Sequence, residues 1–303
     1  MFKKVKRIIR KVSPRAIKVL HEKYRQRQIK NNSIRFQSQL IEYLRNDTSE
    51  FEEFEKKEIL NYLTTNPPSV FPYNFSKKYN VSDIIVYTDH DSGMKYVLHE
   101  NKRLYFKKNW NEEEIRICYN GLLMEQDIDS PHRYETPDFC VNDDDVVVDV
   151  GCAEGNFALS VIEKVKKIYL FEVDKEWIDA LEMTFAPWKE KVEIICKYVS
   201  DSNKIDCTTL DTFFEKKKID LIKADVEGAE IDLLKGCHNI LSDAEKLKIM
   251  LCAYHRQNDA KDINQLLTKY KFHTAFSKGY MFFFYDDYLA SPYLRKGLIR
   301  AMK

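Results

Sequence analysis

Two carboxylates flank a glycine-containing turn in the middle of the chain. Asp149 opens the sequence DVGCAEG, in which Gly151 and Gly155 complete the pattern D-x-G-x-x-x-G, and Glu172 follows Gly151 by 21 residues. Glycines allow a tight backbone turn and the close approach of a ligand. A carboxylate at the position of Glu172 can accept hydrogen bonds from the two hydroxyls of a ribose. These residues predict a binding site for a cofactor that contains a nucleoside.

The spacing alone does not identify the cofactor, because nicotinamide-binding sites place glycines and a carboxylate in a similar way. The glycines here do not follow G-x-G-x-x-G, the pattern that cradles a pyrophosphate. Asp149 would repel a pyrophosphate and would favour a cationic ligand. S-adenosylmethionine combines a sulfonium, an amino group and a ribose, and it fits these residues better. The alternatives are a turn-capping role for Asp149 and a solvated strand end for Glu172.

A second group of polar residues follows two predicted strands nearer the C-terminus. Asp225 ends one strand, Glu227 comes two residues later, and His255 follows the next strand. Ligands of open α/β sheets bind outside the carboxyl ends of the strands. A reaction at this edge that removes a proton needs a base, and we expect His255 to be that base, because an unperturbed pKa of about 6.5 leaves the imidazole neutral. Asp225 could orient the acceptor, hold the amino group of the cofactor, or bind a divalent cation together with Glu227, although a metal is not expected.

Each of these residues also has a purely structural explanation. His255 could be a loop histidine with satisfied hydrogen bonds. Glu227 and Glu230 could complement the dipole at the start of a helix, and for Glu230 we favour that role. Lys223 lies two residues before Asp225 on the same strand face, which favours an internal ion pair.

Two further segments are candidates for ligand contacts. Ser200 and Asp201 follow the third predicted strand, where related folds contact adenine, so either could bind the amino group of the ring. His132, Arg133 and Tyr134 combine basic and aromatic side chains that could face an anionic or glycan acceptor. A plain turn before the next domain is the alternative for this second segment.

From residue 141 onwards, strand patterns alternate with helix patterns, which predicts a parallel sheet with helices on both faces. The predicted strands are 146–150, 168–172, 192–196, 219–225 and 247–254, and the predicted helices are 156–166, 175–185, 228–241 and 259–270. Segments 272–276 and 280–285, with the turn Ser277-Lys278-Gly279, predict a closing hairpin. We therefore expect an α/β fold with a Rossmann-like doubly wound sheet and a C-terminal antiparallel hairpin.

The rest of the chain predicts a smaller N-terminal cap. Residues 33–65 have a helical pattern that Asn66-Pro67-Pro68 stops, and residues 83–119 resemble short strands with turns. The predicted organisation is a basic amphipathic extension (1–30), an α+β cap (31–138), the cofactor-binding catalytic domain (139–290) and a basic C-terminal tail (291–303).

Several of these runs together resemble one family. VVVDVGCAEGNFALSV, FEVD, TTLDTFF, IDLIKADVEGAEIDLLKG and AYHR are similar to the FkbM-type S-adenosylmethionine-dependent methyltransferases, over roughly residues 120–285. The segment EQDIDSPHRY resembles the one that precedes the first motif in a bacterial branch of this family. Ala224 stands where the family often has Ile. The resemblance implies a methyltransferase (EC 2.1.1) that methylates a hydroxyl of a sugar, glycan or related metabolite.

Charge is distributed unevenly along the chain. The 303 residues carry a net charge of +1, but residues 1–30 contain seven Lys and five Arg against one Glu, a net of +11, which leaves −10 on the remainder. A basic amphipathic segment can lie on an anionic membrane, contact other partners, or form a solvated extension. We hypothesise weak peripheral contact with the inner membrane surface through residues 1–30. The segment lacks the apolar core of about 7–15 residues that a secretory signal needs.

Composition narrows the function classes further. The seven Cys are scattered without a CxxC pair, which favours reduced thiols and a cytoplasmic location. Asn66-Pro67-Pro68-Ser69 lacks the aromatic fourth residue of the loop that amino-methyltransferases use on nucleic acids, and the acidic remainder disfavours a phosphate-binding groove, so no nucleic acid partner is expected. The alternatives are a small-molecule methyltransferase acting on a carboxyl or an amine, a non-catalytic cofactor-binding scaffold, and an NAD-dependent oxidoreductase.

Overall fold

The computed structural model describes residues 32–46, 51–215, 217–286 and 289–303. The chain divides into two compact units. The first comprises Met1–Tyr73 and Phe282–Leu294, and the second comprises Asn74–Met281 and Arg295–Lys303. The predicted basic extension, residues 1–30, lies outside the described residues. Within the described ranges, no helix has both the length and the apolar character needed to cross a membrane.

The first unit contains two helices, α1 (residues 32–46) and α2 (Glu53–Thr65). As predicted, α2 ends before the Asn66-Pro67-Pro68 segment, because a residue that precedes a proline avoids the helical conformation. The side chain of Gln37 donates hydrogen bonds to the carbonyls of Leu63 and Asn66, at 2.6 and 2.9 Å. These bonds connect α1 to the end of α2.

The second unit starts with a three-stranded antiparallel sheet of β1 (Tyr87–Thr88), β2 (Lys95–His99) and β3 (Lys102–Tyr105). Helix α3 (Glu112–Glu125) follows, although the sequence predicted short strands as far as residue 119. A capping box starts this helix: the side chain of Asn111 accepts hydrogen bonds from the backbone of Glu113 and Glu114, and the side chain of Glu114 accepts one from the backbone of Asn111.

A seven-stranded sheet forms the centre of the second unit. The remaining strands of the unit are β4 (Val146–Val150), β5 (Lys167–Phe171), β6 (Val192–Ile195), β7 (Tyr198–Val199), β8 (Cys207–Thr208), β9 (Leu221–Ala224), β10 (Lys248–Cys252), β11 (His273–Phe276) and β12 (Leu298–Met302). The order in the large sheet is β11-β12-β10-β9-β4-β5-β6, and β7 and β8 pair separately. Only β12 runs antiparallel to its neighbours in this sheet. This topology confirms the predicted Rossmann-like doubly wound fold.

Helices cover both faces of the sheet. The helices after α3 are α4 (Asn156–Val161), α5 (Lys175–Phe185), α6 (Leu210–Phe214), α7 (Glu230–Lys235), α8 (His238–Asp243) and α9 (Asp259–Lys269). Val147 packs in one core cluster with residues of α3, α4 and α5, whereas Val148 and Val150 pack in a second cluster with residues of α6 to α9. Because both faces of β4 are buried, its sequence is a continuous apolar run interrupted only by Asp149.

The antiparallel pair at the C-terminal end differs from the prediction in its second strand. That strand is β12, not residues 280–285, and it inserts between β10 and β11. Residues 291–303 therefore do not form the expected basic tail throughout. Leu298, Ile299 and Ala301 are fully buried. Burial of these apolar side chains places the segment in the sheet, despite the basic residues near them.

The division into units also differs from the predicted domain boundaries. The expected cap, 31–138, is split, because residues from Asn74 onwards pack with the large sheet in the second unit. Residues 282–290, expected in the catalytic domain, fall in the first unit.

Candidate functional site

The predicted glycine turn follows β4 at the point where the sheet order reverses. β4 lies between β5 and β9, so the chain builds the sheet outward in both directions from here, and the crevice at such a switch point is where open α/β sheets bind ligands. Gly151 has a φ of +67°, and a Cβ at this position would lie 2.1 Å from the carbonyl oxygen of Asp225. The turn after β4 therefore packs directly against the end of β9, and only a glycine permits this contact.

Glu172 anchors the same turn from the other side. Its carboxylate accepts hydrogen bonds from the backbone of Ala153 at 3.0 Å, Val173 at 2.6 Å and Asp174 at 2.8 Å. Gly155 begins α4 with a φ of +78°, and a Cβ there would lie 2.7 Å from Leu181. The turn is thus held by backbone hydrogen bonds and close packing.

Asp149 lies beneath the turn and is completely buried. The strand register places it directly opposite Lys223 of β9, and the carboxylate and the ammonium are 2.8 Å apart. The ammonium also donates a hydrogen bond to the carbonyl of Gly151 at 3.2 Å. Asp149 and Asp225 hold the pKa of Lys223 above its ordinary value despite burial, which opposes the charge. Lys223 therefore forms the internal ion pair expected from the sequence, and its partner is Asp149, the carboxylate that we expected to favour a cationic ligand.

Asp225 lies between two imidazoles at the carboxyl ends of β9 and β10. His255 Nε2 is 3.2 Å from Asp225 Oδ1, and His132 Nε2 is 3.7 Å from Asp225 Oδ2. Tyr254 and Tyr134 donate their hydroxyls to the same carboxylate, at 3.3 Å and 3.4 Å. The carboxylate is therefore held in place by groups from two segments of the chain, one at residues 132–134 and one at residues 254–255.

Two more carboxylates complete this arrangement. Glu230 Oε1 is 2.9 Å from His255 Nδ1, and Glu125 Oε2 is 4.0 Å from His132 Nδ1. The order Glu230–His255–Asp225–His132–Glu125 thus alternates carboxylates with imidazoles, and we refer to these residues as the five-group chain. Glu230 and His132 have side chains 1% exposed, while His255 at 15% and Asp225 at 25% reach the surface.

The charges of the five-group chain follow from its geometry. Burial opposes a charge on His255, but Asp225 and Glu230 outweigh it and raise the pKa of this histidine to about 9. Burial also opposes the charge on Asp225, yet hydrogen bonds with His132 and His255 hold the pKa of this carboxyl well below its usual range. Burial likewise opposes a charge on His132, whereas Glu125 and Asp225 raise its pKa. His255 is therefore an imidazolium at neutral pH in the free protein, not the neutral imidazole expected from the sequence.

Other predicted site residues lie outside the five-group chain. Glu227 is exposed and has a φ of +51°. Arg133 donates hydrogen bonds to the carbonyls of Glu135 and Gln126, at 2.8 and 2.5 Å, and so fixes the backbone around His132. Ser200 is half-buried and Asp201 is exposed. The hydroxyl of Ser200 donates a hydrogen bond to the carboxylate of Asp201 at 3.4 Å.

Sequence reasoning missed three residues of this arrangement. For Glu230 we favoured interaction with the dipole at the start of a helix. Glu125 and Tyr254 were not proposed as site residues. Glu230 lies five residues after Asp225, which returns its side chain to the same edge of the sheet, and Tyr254 is next to His255 in the AYHR motif. Glu125 ends α3, and no spacing in the sequence links that helix to β9.

Two sets of residues offer ligand atoms that could hold a metal ion. Asp225, Glu230 and His255 form one set, and His132, Asp225 and Cys252 form the other, with ligand atoms within 4.8 Å of one another in each. In both sets an imidazole nitrogen lies within 4 Å of a carboxylate oxygen, so a proton can lie between ligand atoms that would otherwise hold a metal ion.

The residues around the turn fit S-adenosylmethionine. Glu172 is only half-buried, and its two oxygens have acceptor capacity beyond the backbone hydrogen bonds, so they can also receive ribose hydroxyls. Asp149, Glu154, Glu172 and Asp225 surround the turn, with Lys223 as the counter-charge nearest to Asp149. Burial raises the pKa of Glu154 to about 8, so the negative charges near the turn come from the other carboxyls, which outnumber the single ammonium of Lys223 and suit a cationic ligand.

A known protein family matches part of this chain. A family model described as the methyltransferase FkbM domain matches residues 189–274, the segment that contains Asp225, Glu230 and His255. The resemblance predicted from the sequence is confirmed over this segment. No curated protein matches the chain.

Several solved structures are similar at low sequence identity. A methyltransferase FkbM from Methylobacillus flagellatus KT is 16% identical with a TM-score of 0.43, and the match covers 63% of this chain and 53% of that one, about half of its length. The magnesium protoporphyrin IX methyltransferase of Synechocystis PCC 6803, solved with S-adenosylmethionine, is 14% identical with a TM-score of 0.40, covering 64% of this chain and 84% of that one. TrmK of M. capricolum, solved with S-adenosylhomocysteine, is 14% identical with a TM-score of 0.36, covering 53% and 63%.

Proposed function

We propose that this chain, an S-adenosylmethionine-dependent methyltransferase with an FkbM domain, transfers the methyl group to a hydroxyl of a sugar, glycan or related metabolite. The observation that supports this proposal is the five-group chain beside the glycine turn. A hydroxyl is a poor nucleophile until its proton is taken, so it needs a base, whereas a carboxylate acceptor needs none. Glu125, Asp225 and Glu230 would also repel an anionic acceptor.

The residues of the turn bind and orient the cofactor. Glu172 holds the backbone of the turn and offers acceptor oxygens for the ribose, while Gly151 keeps the turn in contact with the end of β9. When bound, S-adenosylmethionine supplies an electrophilic methyl group on a positively charged sulfur.

His255 and its carboxylate partners manage the proton of the acceptor hydroxyl. His255 Nδ1 lies 2.9 Å from Glu230 Oε1 and Nε2 lies 3.2 Å from Asp225 Oδ1, in a side chain that is 15% exposed. In the neutral ring, Nε2 would accept the proton of the acceptor hydroxyl. Glu230, which faces the opposite ring nitrogen, would then stabilise the imidazolium that forms, as the acid of a catalytic triad does, and Asp225 would place a second negative charge beside it.

The test is transfer of a radiolabelled methyl group from S-adenosylmethionine to a panel of uncharged sugars, free glycans, carboxylic acids and amines. The proposal predicts a product that survives mild alkali, because methyl ethers are stable where methyl esters are hydrolysed. An alkali-labile product would indicate a carboxyl acceptor, and a methylamine identified by mass spectrometry would indicate an amine acceptor. Cofactor binding without transfer to any of these acceptors would favour the scaffold alternative.

A separate part of the proposal concerns residues 1–30. Their net charge of +11 supports weak contact with an anionic membrane surface. Co-sedimentation with vesicles that contain anionic phospholipid should decrease when residues 1–30 are deleted, and equal sedimentation of both proteins would rule out this contact.

A further inference from the structure

Residues 295–303, part of the predicted basic tail, run alongside the candidate site. β12 pairs with β10, and the backbone of Ala253 donates a hydrogen bond to the carbonyl of Gly297 at 3.0 Å, so the pairing continues beyond the end of β10. A Cβ at Gly297 would lie 2.2 Å from the carbonyl oxygen of Pro131. This C-terminal segment therefore contacts both the residues that follow β10 and the residues next to His132.

Arg295 bridges the two carbonyls that flank His255. Its Nη1 donates hydrogen bonds to the carbonyl of Tyr254 at 3.0 Å and to that of His255 at 3.1 Å, and Arg295 is only 7% exposed. These carbonyls belong to the peptide groups on either side of the His255 Cα, and each peptide group is planar. Holding both planes restricts φ and ψ of His255, so the direction in which the imidazole leaves the backbone is restricted as well.

Arg300 has the same relation to Tyr134. Its Nε donates a hydrogen bond to the carbonyl of Tyr134 at 2.8 Å, and its Nη2 donates one to the carbonyl of Arg133. These carbonyls flank the Cα of Tyr134, whose hydroxyl donates to Asp225 at 3.4 Å. A guanidinium is planar and presents its N–H groups in a rigid fork, so one arginine can hold two acceptors at once.

We propose that Arg295 and Arg300 are positioning residues, which act through the backbone to set where His255 and Tyr134 meet Asp225. Both arginines bond to carbonyl oxygens, so their role is to align the base rather than to move a proton. A displacement of about 1 Å at a reacting group can lower a rate by about 100-fold. The effect on the rate rests on the proposed function, whereas the effect on the positions of the two side chains does not.

Lys303 provides the matched control from the same segment. Its Nζ donates hydrogen bonds to the carbonyls of Leu241 and Ser242, at 2.8 and 3.2 Å, so it also bridges two consecutive carbonyls. Its backbone N–H donates to the carbonyl of Leu247, immediately before β10, whereas Asp225 follows the carboxyl end of the parallel strand β9. The lysine therefore makes the same kind of bridge at the opposite edge of the sheet.

Crystal structures of full-length variants test the positioning without acceptor or cofactor. In Arg295→Gln, the distance between His255 Nε2 and Asp225 Oδ1 should increase from 3.2 Å to beyond about 3.5 Å, the limit of a hydrogen bond. In Arg300→Gln, the Tyr134 hydroxyl should lose its contact with the same carboxylate. The lysine variant should retain both contacts. A side chain that keeps its wild-type position would overturn the inference for the arginine concerned.

Kinetics test the consequence for catalysis. We expect kcat to fall by about 10–100-fold in Arg295→Gln, with the KM for S-adenosylmethionine changed far less. Arg300→Gln should lower kcat by a smaller factor, because Tyr134 acts on the base only through Asp225. Arg295→Lys should recover part of the loss, since Lys303 shows that one ammonium can bridge two carbonyls. An equal loss in Lys303→Gln, or a loss that Arg295→Lys does not reduce, would overturn the inference.

The two arms separate this inference from the proposed function. Displaced side chains, in a protein whose wild type transfers no methyl group to any acceptor, would remove the proposed function and support the positioning role. Methyl transfer by variants whose His255 and Tyr134 keep their positions would remove the positioning role alone. If Arg295→Gln does not fold, Arg300→Gln decides the test, because Arg300 is only half-buried.

Discussion

The glycine turn and the five-group chain lie at the same edge of the sheet, but different forces hold them. Backbone hydrogen bonds and steric contact fix the turn, through Glu172 and through Gly151 against Asp225. Opposite charges fix the five-group chain, and its largest separation, between Glu125 and His132, is 4.0 Å. The turn should therefore respond most strongly to changes of shape, whereas the five-group chain should respond most strongly to changes of charge.

Gly151→Ala should have the largest effect of the changes considered. The added Cβ would meet the Asp225 carbonyl, and neither backbone can retreat without disturbing the sheet. We expect a loss of more than about 3 kcal/mol in the free energy of unfolding, measured by urea denaturation, and loss of cofactor binding.

Gly93→Ala is the matched control for this change. Gly93 has a φ of +68°, nearly the same as Gly151, but a Cβ there would meet nothing within 4 Å. Only the backbone strain of about 1–2 kcal/mol should appear. Equal losses in the two variants would show that the contact between the turn and Asp225 contributes nothing.

His255→Gln should come next, and it should act on the chemical step. We expect kcat to fall by about 10²–10⁴-fold, the usual contribution of a general base, with cofactor affinity changed far less. His99→Gln serves as the control, because it replaces a buried histidine whose ring bonds to the hydroxyls of Tyr119 and Ser160. An unchanged kcat in His255→Gln would exclude this residue as the base.

Glu230→Gln should shift the pH dependence of kcat/KM. For S-adenosylmethionine, kcat/KM reports the free enzyme, in which the pKa of His255 is about 9, so its value should rise with pH up to that point. Glu230 is one of the two carboxylates that raise this pKa, so its removal should shift the rise to lower pH. Glu227→Gln, which removes an exposed carboxylate of the same segment, should leave the position of the rise unchanged.

Removal of divalent metal should have the smallest effect. Activity should be unchanged after treatment with a chelator, because in both candidate ligand sets an imidazole nitrogen already faces a carboxylate and can share a proton with it. Loss of activity that Mg²⁺ or Mn²⁺ restores would show that one of these sets binds a metal and that His255 does not act as a free base.

The sequence predicted the turn better than the five-group chain, and the reason is physical. The glycines, Asp149 and Glu172 follow consecutive strands of a parallel sheet, so local spacing is enough to place them together. The five-group chain joins residues of α3, of the segment at His132 and of the segments that follow β9 and β10. No periodicity in the sequence predicts that these four segments are close in space. Family resemblance highlighted both segments, yet it did not show that Glu230, not Glu227, faces His255.

The same distinction explains the errors elsewhere. Residues 298–302 were expected in a basic tail because basic residues surround this short apolar run. They form β12, which lies between β10 and β11, and that position depends on two strands distant in the sequence. Lys223 was expected in an internal ion pair from its position in the strand, but its partner, Asp149, follows only from the pairing register of β4 and β9.

Binding of S-adenosylmethionine tests the central claim most directly, by calorimetric titration of the wild type, Glu172→Gln and Glu163→Gln. Glu172 combines its role in the turn with acceptor oxygens for the ribose, whereas the carboxylate of Glu163 accepts a hydrogen bond from Trp188 in an exposed position. We predict that the wild type and Glu163→Gln bind equally, and that Glu172→Gln binds about 10–100-fold more weakly, the loss expected for hydrogen bonds to a charged group. Equal affinity of all three proteins, or no binding by a folded wild type, would contradict the proposed cofactor site.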